Sequence, residues 1–166
     1  MADAFKYDYK ILVEESIDNP REVECSILGN EDAKASKLGA IDVPKTDTFY
    51  DYNNKFVDAS GVTFELPVDL PADLTKRIQD MSLGAFKALG LKGMARVDFL
   101  VSEDGEPYLG EINTLPGFTN ISLYPKLWEV SGIGYTDLID QLIQLGFDEF
   151  KRQSEIHYDF VALDAE

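Results

Sequence analysis

The sequence predicts an α+β fold in which helices flank an antiparallel sheet, and three observations support this class. First, Asp104-Gly105, a strong two-residue turn signal, separates two runs of strand-like composition. Second, residues 22–29 begin with alternating apolar and polar side chains, which is typical of a strand. Third, two segments place apolar residues three and four positions apart, as amphipathic helices do. The strand-like runs are residues 96–101 and 108–113, and the helical segments are residues 71–90 and 136–145.

Composition excludes several classes of partner. The 166 residues suit one domain or slightly more. They include 15 basic and 31 acidic residues, and a net charge of −16 argues against binding to nucleic acid or to anionic membranes. The single cysteine, Cys25, excludes an internal disulfide framework. The sequence shows neither a secretory leader nor an apolar run of about 18 residues, so we expect a cytoplasmic protein.

Two strands are expected before residue 30. Residues 7–17 contain the apolar run Ile-Leu-Val at 11–13 and are predicted to form a buried strand. Residues 22–29 are predicted to form a second strand. The intervening Asp-Asn-Pro at 18–20 is a turn signal, so the two strands could form a hairpin.

A long irregular segment follows at residues 44–69. It is rich in Asp, Asn, Tyr and Thr and shows no sustained hydrophobic period. Segments of this length inside a compact domain are usually functional or disordered. The aromatic residues Phe49, Tyr50, Tyr52 and Phe56 argue against simple disorder. We therefore expect a functional segment, and the alternative is a floppy surface excursion.

The clearest helix is predicted over residues 71–90. Pro71 suits the first turn of a helix, and Gly90 provides a C-terminal stop. The predicted buried stripe consists of Leu74, Ile78, Met81, Ala85 and Leu89.

A second helix is predicted over residues 136–145, with Thr136 as its cap and Gly146 as its end. Its predicted buried face consists of Leu138, Ile139, Leu142 and Ile143. The tail from residue 151 is expected to be weakly ordered. It contains the single histidine, His157, which we interpret as a solvated tail residue rather than a general acid.

The hairpin around Asp104-Gly105 carries the strongest chemical signal. If these two residues form the turn, opposed residues have numbers that sum to 209. Asp98 then lies opposite Glu111, and Arg96 lies opposite Asn113. Opposed residues share a face of the sheet, as do alternate residues of one strand, so all four project together. A loop longer by one residue would break this register.

Two opposed carboxylates repel each other, so something must stabilise Asp98 beside Glu111. A Mg²⁺ ion would do so, because it binds carboxylates together with substrate phosphates. Asn113 offers a third oxygen, Arg96 offers a planar fork for phosphate, and the lack of His and Cys disfavours zinc. The alternative is a surface hairpin whose Asp98 and Glu111 are solvated or paired with Arg96.

The segment after the hairpin offers anion-binding groups. Gly117 lies in a Pro-Gly turn, where its N–H could act as an oxyanion donor. Ser122 and Leu123 begin a predicted helix, whose first N–H groups favour a carboxylate or phosphate. The alternative for Pro116-Gly117 is an ordinary turn.

Three blocks follow one another along the chain: VEESIDNPREVECSILGN, TFYDYNNKF and RVDFLVSEDGEPYLGEINTLPGFTNISLYP. In this order they resemble the ATP-grasp family and, within it, the D-alanine–D-alanine ligases. The resemblance implies the large ATP-grasp lobe, an antiparallel sheet with flanking helices, plus the last strands of the small lobe. The implied divisions are residues 1–28 for the small-lobe remnant, 29–150 for the carboxyl-terminal lobe with its mobile loop at 44–69, and 151–166 for the tail.

The resemblance also implies roles for individual residues. Asp98, Glu111 and Asn113 would bind two Mg²⁺ ions, with Mn²⁺ as a substitute, and Glu111 would be shared between them. Arg96 would contact the transferring phosphoryl group. The implied groups nearer the substrates are the Gly117 N–H at the oxyanion site and Ser122 and Leu123 at the carboxylate of the second substrate.

The nucleotide and loop residues are implied in the same way. Glu14, Glu15 and Ile17 belong to the implied adenine-binding hinge, and Glu22 would bind the ribose. Tyr50 and Lys55 would lie in the loop that closes over the site, with Lys55 reaching the γ-phosphate of ATP. Phe56 replaces the Tyr of many family members, and it resembles the form found in ligases that accept D-lactate and form an ester.

The implied activity is ATP-dependent joining of two D-alanines, or of D-alanine and D-lactate, through D-alanyl phosphate, for peptidoglycan precursor synthesis. Full-length members are expected to be homodimers. Family members are about twice as long, so we expect a carboxyl-terminal portion with little or no activity by itself. Two alternatives are a non-catalytic Mg-ATP-binding remnant and another ATP-grasp carboxylate–amine ligase.

Overall fold

The computed structural model describes residues 3–42, 63–119 and 121–156. Its strands are β1 (Arg21–Gly29), β2 (Lys34–Asp42), β3 (Thr63–Glu65), β4 (Gly93–Val101) and β5 (Pro107–Asn113). Its helices are α1 (Ala72–Ala88), α2 (Leu123–Val130) and α3 (Tyr135–Ser154), with a short 3₁₀ helix at Ala4–Lys6. None of the described helices combines the length and the hydrophobicity that crossing a membrane requires.

The five strands form one sheet in the order β3-β2-β1-β4-β5, and neighbouring strands are antiparallel. The predicted α+β class, an antiparallel sheet with flanking helices, is confirmed. Strand β1 is central, because it pairs with β2 on one side and along its whole length with β4 on the other. The sheet therefore places β1 directly beside the hairpin formed by β4 and β5.

One face of the sheet packs against α1. Alternate residues of β1, including Val23, Cys25 and Ile27, are fully buried there, and Ile78 and Phe86 of α1 complete the cluster. Burial raises the pKa of the Cys25 thiol to about 11, which keeps it protonated at neutral pH. The predicted alternation in residues 22–29 is confirmed as the pattern that builds this core.

Among the described residues, helices cover the opposite face at one end. There α2 and α3 bury a second apolar cluster that contains Leu28, Tyr124, Trp128 and Leu138. The Tyr124 hydroxyl donates to the Ile27 carbonyl at 3.0 Å, which ties α2 to β1. The remaining half of this face carries polar side chains, and no helix of the described residues covers it, so a ligand can reach the sheet there.

Helix α1 confirms the predicted helix with small differences. Pro71 caps α1 rather than occupying its first turn, and the helix ends before Gly90, whose φ of +64° suits a glycine. The buried residues are Ile78, Ser82 and Phe86, whereas Leu89 is exposed. The predicted stripe was therefore wrong at Leu89, because α1 has already ended there.

Helix α3 is longer than predicted. It begins after Gly134, not at a Thr136 cap, and it continues through Gly146 to Ser154. A glycine costs only about 1 kcal/mol in a helix interior. The Glu149 carboxylate accepts hydrogen bonds from Arg152, three residues later, and such pairs support the last turns.

The strand predicted at residues 7–17 does not form. Residues 10–17 have no regular structure, and the side chains of Leu12 and Val13 are 80% and 71% exposed. An apolar run becomes a strand only where another strand can pair with it, and β1 is already paired on both sides. The hairpin predicted between 7–17 and 22–29 is therefore wrong as well.

The predicted division of the chain at residue 28 and the weakly ordered tail stay predictions. Residues 21–28 belong to the main sheet through β1. In the loop predicted at 44–69, strand β3 forms at its end and pairs with β2, while residues 43–62 lie outside the described residues. The tail begins inside α3, and residues 157–166, with His157, also lie outside them.

Candidate active site

The β4–β5 hairpin brings the central site residues together in the predicted register. Asp98 pairs with Glu111, and Arg96 pairs with Asn113. Paired residues project from the same face of a sheet, so these four side chains share one face. It is the face that α2 and α3 leave open at this end. The predicted grouping is confirmed.

Two irregularities that offset each other produce this register. The Ser102 N–H donates to the Glu106 carbonyl at 3.0 Å, which closes a loop of residues 103–105, one longer than predicted. A longer loop alone would move Glu111 away from Asp98. A bulge at Gly110 adds one residue to β5 and restores their pairing. The predicted two-residue loop was wrong, although the pairing predicted from it is observed.

Arg96 stabilises the acidic face. Its Nε donates to Oδ1 of Asp98 and its Nη2 donates to Oδ2, each at 2.8 Å. This bidentate bond raises the pKa of Arg96, and the nearby carboxylates of Glu24 and Glu111 raise it further, against the effect of burial. Arg96 thus offsets the expected repulsion between Asp98 and Glu111. Pairing with Arg96 was the alternative to a metal ion that the sequence analysis left open.

Glu24 is the site residue that the sequence analysis missed. It lies on β1 directly opposite Asp98, and Oε2 of Glu24 is 2.9 Å from Nε of Arg96. The residue is only 4% exposed. A signal was available, because the apolar alternation of β1 puts Glu22 and Glu24 together on the other face. A buried carboxylate needs a charged or hydrogen-bonding partner, and Arg96 is close enough to serve.

Two adjoining cavities extend from this site. One has a volume of about 230 Å³, and the other has a volume of about 620 Å³. Leu100 and Gly110 line both cavities. The first is also lined by Glu22, Glu24, Asp98 and Glu111, and the second by Glu14, Glu15, Ser16 and Ile17. The structure therefore brings the residues predicted for the nucleotide next to those predicted for the metal.

The donor set fits a hard cation that also binds phosphate. Asp98 and Glu111 offer carboxylate oxygens, and Asn113 offers an amide oxygen, which accepts a weak hydrogen bond from the Leu115 N–H at 3.3 Å. In the described part of the chain, no three His, Cys, Asp or Glu side chains converge to form a metal site, so this site would depend on two carboxylates and the Asn113 amide. Oxygen donors of this number suit Mg²⁺ that keeps waters or substrate phosphates as further ligands.

The turn before α2 is tightly built. The Ser122 hydroxyl accepts from the Thr119 N–H at 3.0 Å. A Cβ on Gly117 would lie 3.0 Å from that hydroxyl, so the close approach favours glycine. Ser122 precedes α2, as predicted, but the Leu123 side chain is buried in the core. Leu123 can therefore contact a ligand only through its backbone.

Comparison with known proteins identifies the family. The family model described as "D-ala D-ala ligase C-terminus" matches residues 1–144. The chain belongs to this family. It is 95% identical over 166 residues to a D-alanine–D-alanine ligase of Lactiplantibacillus plantarum and 70% identical to one of Ligilactobacillus salivarius. The chain spans about 45% and 44% of the length of these two ligases.

Solved structures of ligases share the fold of this carboxyl-terminal region. The D-alanine–D-alanine ligase from Coxiella burnetii matches with a TM-score of 0.77 and 41% identity, over 93% of this chain and 39% of that one. The VanG D-Ala:D-Ser ligase from Enterococcus faecalis matches with a TM-score of 0.71 and 34% identity, over 86% and 40%. The sheet and its flanking helices are therefore the ATP-grasp fold of D-alanine–D-alanine ligases.

Three of the predicted site residues cannot be placed in this D-alanine–D-alanine ligase region. Tyr50, Lys55 and Phe56 lie outside the described residues. Their predicted roles, closure over the site and choice of the second substrate, stay predictions.

Proposed function

We propose that this chain is the catalytic carboxyl-terminal portion of an ATP-dependent ligase that joins D-alanine to a second substrate for peptidoglycan precursor synthesis. The observation that carries the proposal is the open sheet face, where Arg96, Asp98 and Glu111 adjoin the cavity at Glu14 and Ile17. Because the chain spans less than half of its relatives, we expect little turnover from it alone. ATP-dependent precursor synthesis implies a cytoplasmic protein, and we expect the full-length enzyme to be a homodimer.

We assign the residues of the open face to nucleotide and metal binding. Asp98, Glu111 and Asn113 would hold two Mg²⁺ ions, or Mn²⁺ in their place. When bound, these ions supply positive charge at the phosphates of ATP. The nucleotide residues are Glu14, Glu15 and Ile17 around adenine, Glu22 at the ribose and Lys55 at the γ-phosphate.

The remaining residues act on the reacting groups. In the proposed reaction the carboxylate of the first D-alanine attacks the γ-phosphorus of ATP, ADP leaves, and the second substrate then displaces phosphate from the acyl phosphate. Arg96 orients the transferring phosphoryl group, because a guanidinium binds phosphate oxygens in a fixed fork. The Gly117 N–H donates a hydrogen bond to the developing oxyanion. The backbone around Ser122 and Leu123 orients the carboxylate of the second substrate. Closure of the segment with Tyr50 excludes water.

Glu111→Gln is expected to weaken Mg-ATP binding at least about 10-fold, because it removes the negative charge of a proposed metal ligand. Mutating a group that only hydrogen-bonds a metal ligand already lowers metal affinity by about this factor. Isothermal titration of the chain with Mg-ATP measures the effect, and EDTA should abolish the same binding. Asp104→Asn is the matched control, since it removes one carboxylate from the exposed turn of the same hairpin. Equal binding by both variants and the unchanged chain would contradict the assignment.

A non-catalytic Mg-ATP-binding remnant is the second candidate, favoured by the chain's span of about 45% of its relative from Lactiplantibacillus plantarum. Binding of Mg-ATP without release of ADP would support it, provided that D-alanine is present in the assay. Release of ADP that depends on D-alanine, at a rate of about 1 s⁻¹ or more, would rule it out.

We further propose D-lactate as the preferred second substrate, on the basis of Phe56. Phe lacks the hydroxyl with which Tyr could form a polar contact between loop and core, and this loss would change which nucleophile the closed site favours. In the full-length ligase that carries this sequence, Phe56→Tyr should shift the product from D-alanyl-D-lactate towards D-alanyl-D-alanine. Mass spectrometry of products at neutral pH measures the ratio. Amide as the sole product of the unchanged enzyme would refute the proposal.

A further inference from the structure

Arg96 lies between carboxylates from two adjacent strands. Its guanidinium makes a bidentate bond to Asp98 on β4, and its Nε is also 2.9 Å from Oε2 of Glu24 on β1. The side chains of Arg96, Glu24 and Asp98 are 15%, 5% and 19% exposed. Glu24 is therefore the more buried of the two carboxylates that contact Arg96.

A cation at this site would compete with Arg96 for Asp98. Both oxygens of Asp98 accept hydrogen bonds from Arg96. A cation bound to Asp98 would compete with the guanidinium for the charge of this carboxylate and would weaken the bidentate bond. A largely buried guanidinium that loses its partner is strongly unfavourable, so Arg96 needs a second carboxylate within reach.

Glu24 is built to be that carboxylate. Its backbone is held on both sides, by pairing with Gly39 on β2 and with Asp98 on β4. Methyl groups of Leu66 and Leu127 lie over Gly39, which has no side chain of its own to fill that space. These apolar groups beside Glu24 disfavour movement of its charge in that direction and leave it directed towards Arg96.

We propose that Glu24 is a positioning residue that retains Arg96 at the site when Asp98 turns to the cation. The guanidinium then exchanges one bond to Asp98 for one to Glu24 and stays beside the phosphoryl group. This role rests on the proposed function, because it requires that Asp98 bind a metal.

The test compares two substitutions that separate contact from charge. Glu24→Gln removes the charge and keeps the length of the side chain, whereas Glu24→Asp keeps the charge and withdraws the carboxylate from Arg96 by one methylene. We expect both variants to weaken Mg²⁺ binding about 10-fold or more, as the loss of an outer partner does. The measurement is an NMR titration of the chain with MgCl₂, followed at the Arg96 Nε–H resonance.

The same resonance reports the partner of Arg96 directly. In the unchanged chain, Mg²⁺ should shift the Nε–H signal without accelerating its exchange with water, because Glu24 replaces Asp98. In Glu24→Asp, exchange should become fast on adding Mg²⁺. Neither substitution changes Arg96 or Asp98, so we expect their bidentate bond to remain, and urea denaturation checks that both variants fold.

Three other outcomes would contradict the proposed role of Glu24. If Glu24→Asp binds Mg²⁺ as the unchanged chain does while Glu24→Gln binds weakly, Glu24 acts through its charge alone and the inference fails. Fast exchange of the Arg96 Nε–H in the unchanged chain with Mg²⁺ also refutes it, without any variant. If the unchanged chain does not respond to Mg²⁺ at all, the proposed metal site fails and this inference fails with it.

Discussion

Arg96→Met is expected to destabilise the folded chain by about 3–5 kcal/mol, the usual effect of removing one partner from a buried ion pair. Arg96 is the cation that contacts both Glu24 and Asp98, and Glu111 is close enough to raise its pKa. Without it, the buried carboxylate of Glu24 would lie beside the partly buried carboxylate of Asp98, with the exposed Glu111 nearby, and their charges would no longer be offset by the guanidinium. Urea denaturation followed by circular dichroism measures the loss as a lower midpoint.

Two further variants show whether burial is the cause. Arg77→Met breaks an exposed bidentate pair with Glu106, and it should leave the urea midpoint nearly unchanged, because solvent screens such pairs. The double variant Arg96→Met with Glu24→Gln should recover part of the stability. It removes the charge of Glu24, the most buried of the carboxylates that Arg96→Met leaves without their cation. A midpoint for Arg96→Met equal to that of Arg77→Met would contradict the expectation.

The hairpin was predictable because its signals are local. The Asp-Gly turn and the alternation on both sides of it lie within one short stretch of chain, and pairing follows from strand geometry. The bulge at Gly110 was missed, although an isolated glycine inside a strand-like run is a signal for a bulge. The pairing of Asp98 with Glu111 was still obtained, since the longer loop and the bulge shift the register in opposite directions.

Features that depend on which strands pair with each other were missed. Strand β2 contains Lys, Ala and Gly, which favour strands weakly, and it forms because β1 pairs with it. The error at Leu12 and Val13 was the opposite one. A strand was predicted there, but in the described structure no strand pairs with this run, and both side chains are exposed. In each case the decisive factor is a neighbouring strand, which a local pattern does not contain.

The site shows the same division. Residues on the hairpin were predicted from spacing, and those of the nucleotide pocket from resemblance to a family. Glu24 was missed because its importance depends on β1 lying beside β4, a contact between residues more than 70 positions apart. Once that pairing is known, a buried carboxylate next to Arg96 follows from the alternation in β1.

Gly29→Ala is expected to be the other strongly destabilising change, with a loss of about 3 kcal/mol. Gly29 ends β1 with a φ of +134°, a conformation that residues with a side chain rarely adopt. An added Cβ would also lie 2.7 Å from the Ala33 Cα and 3.2 Å from the Asp32 carbonyl oxygen, both backbone atoms. The turn into β2 would have to move, which would disturb the adjoining pair of central strands.

The control is Gly90→Ala at the end of α1. Gly90 also has a positive φ, +64°, but an added Cβ there would meet nothing within 4 Å. Its cost should be only the conformational term, about 1–2 kcal/mol. Thermal denaturation of the two variants therefore compares a positive φ that Ala can adopt with the more strained φ of Gly29 combined with a backbone collision, and Gly29→Ala should lose more stability. Equal losses would contradict this expectation. They would show that the turn after β1 can move to accommodate the added Cβ without a further loss of stability.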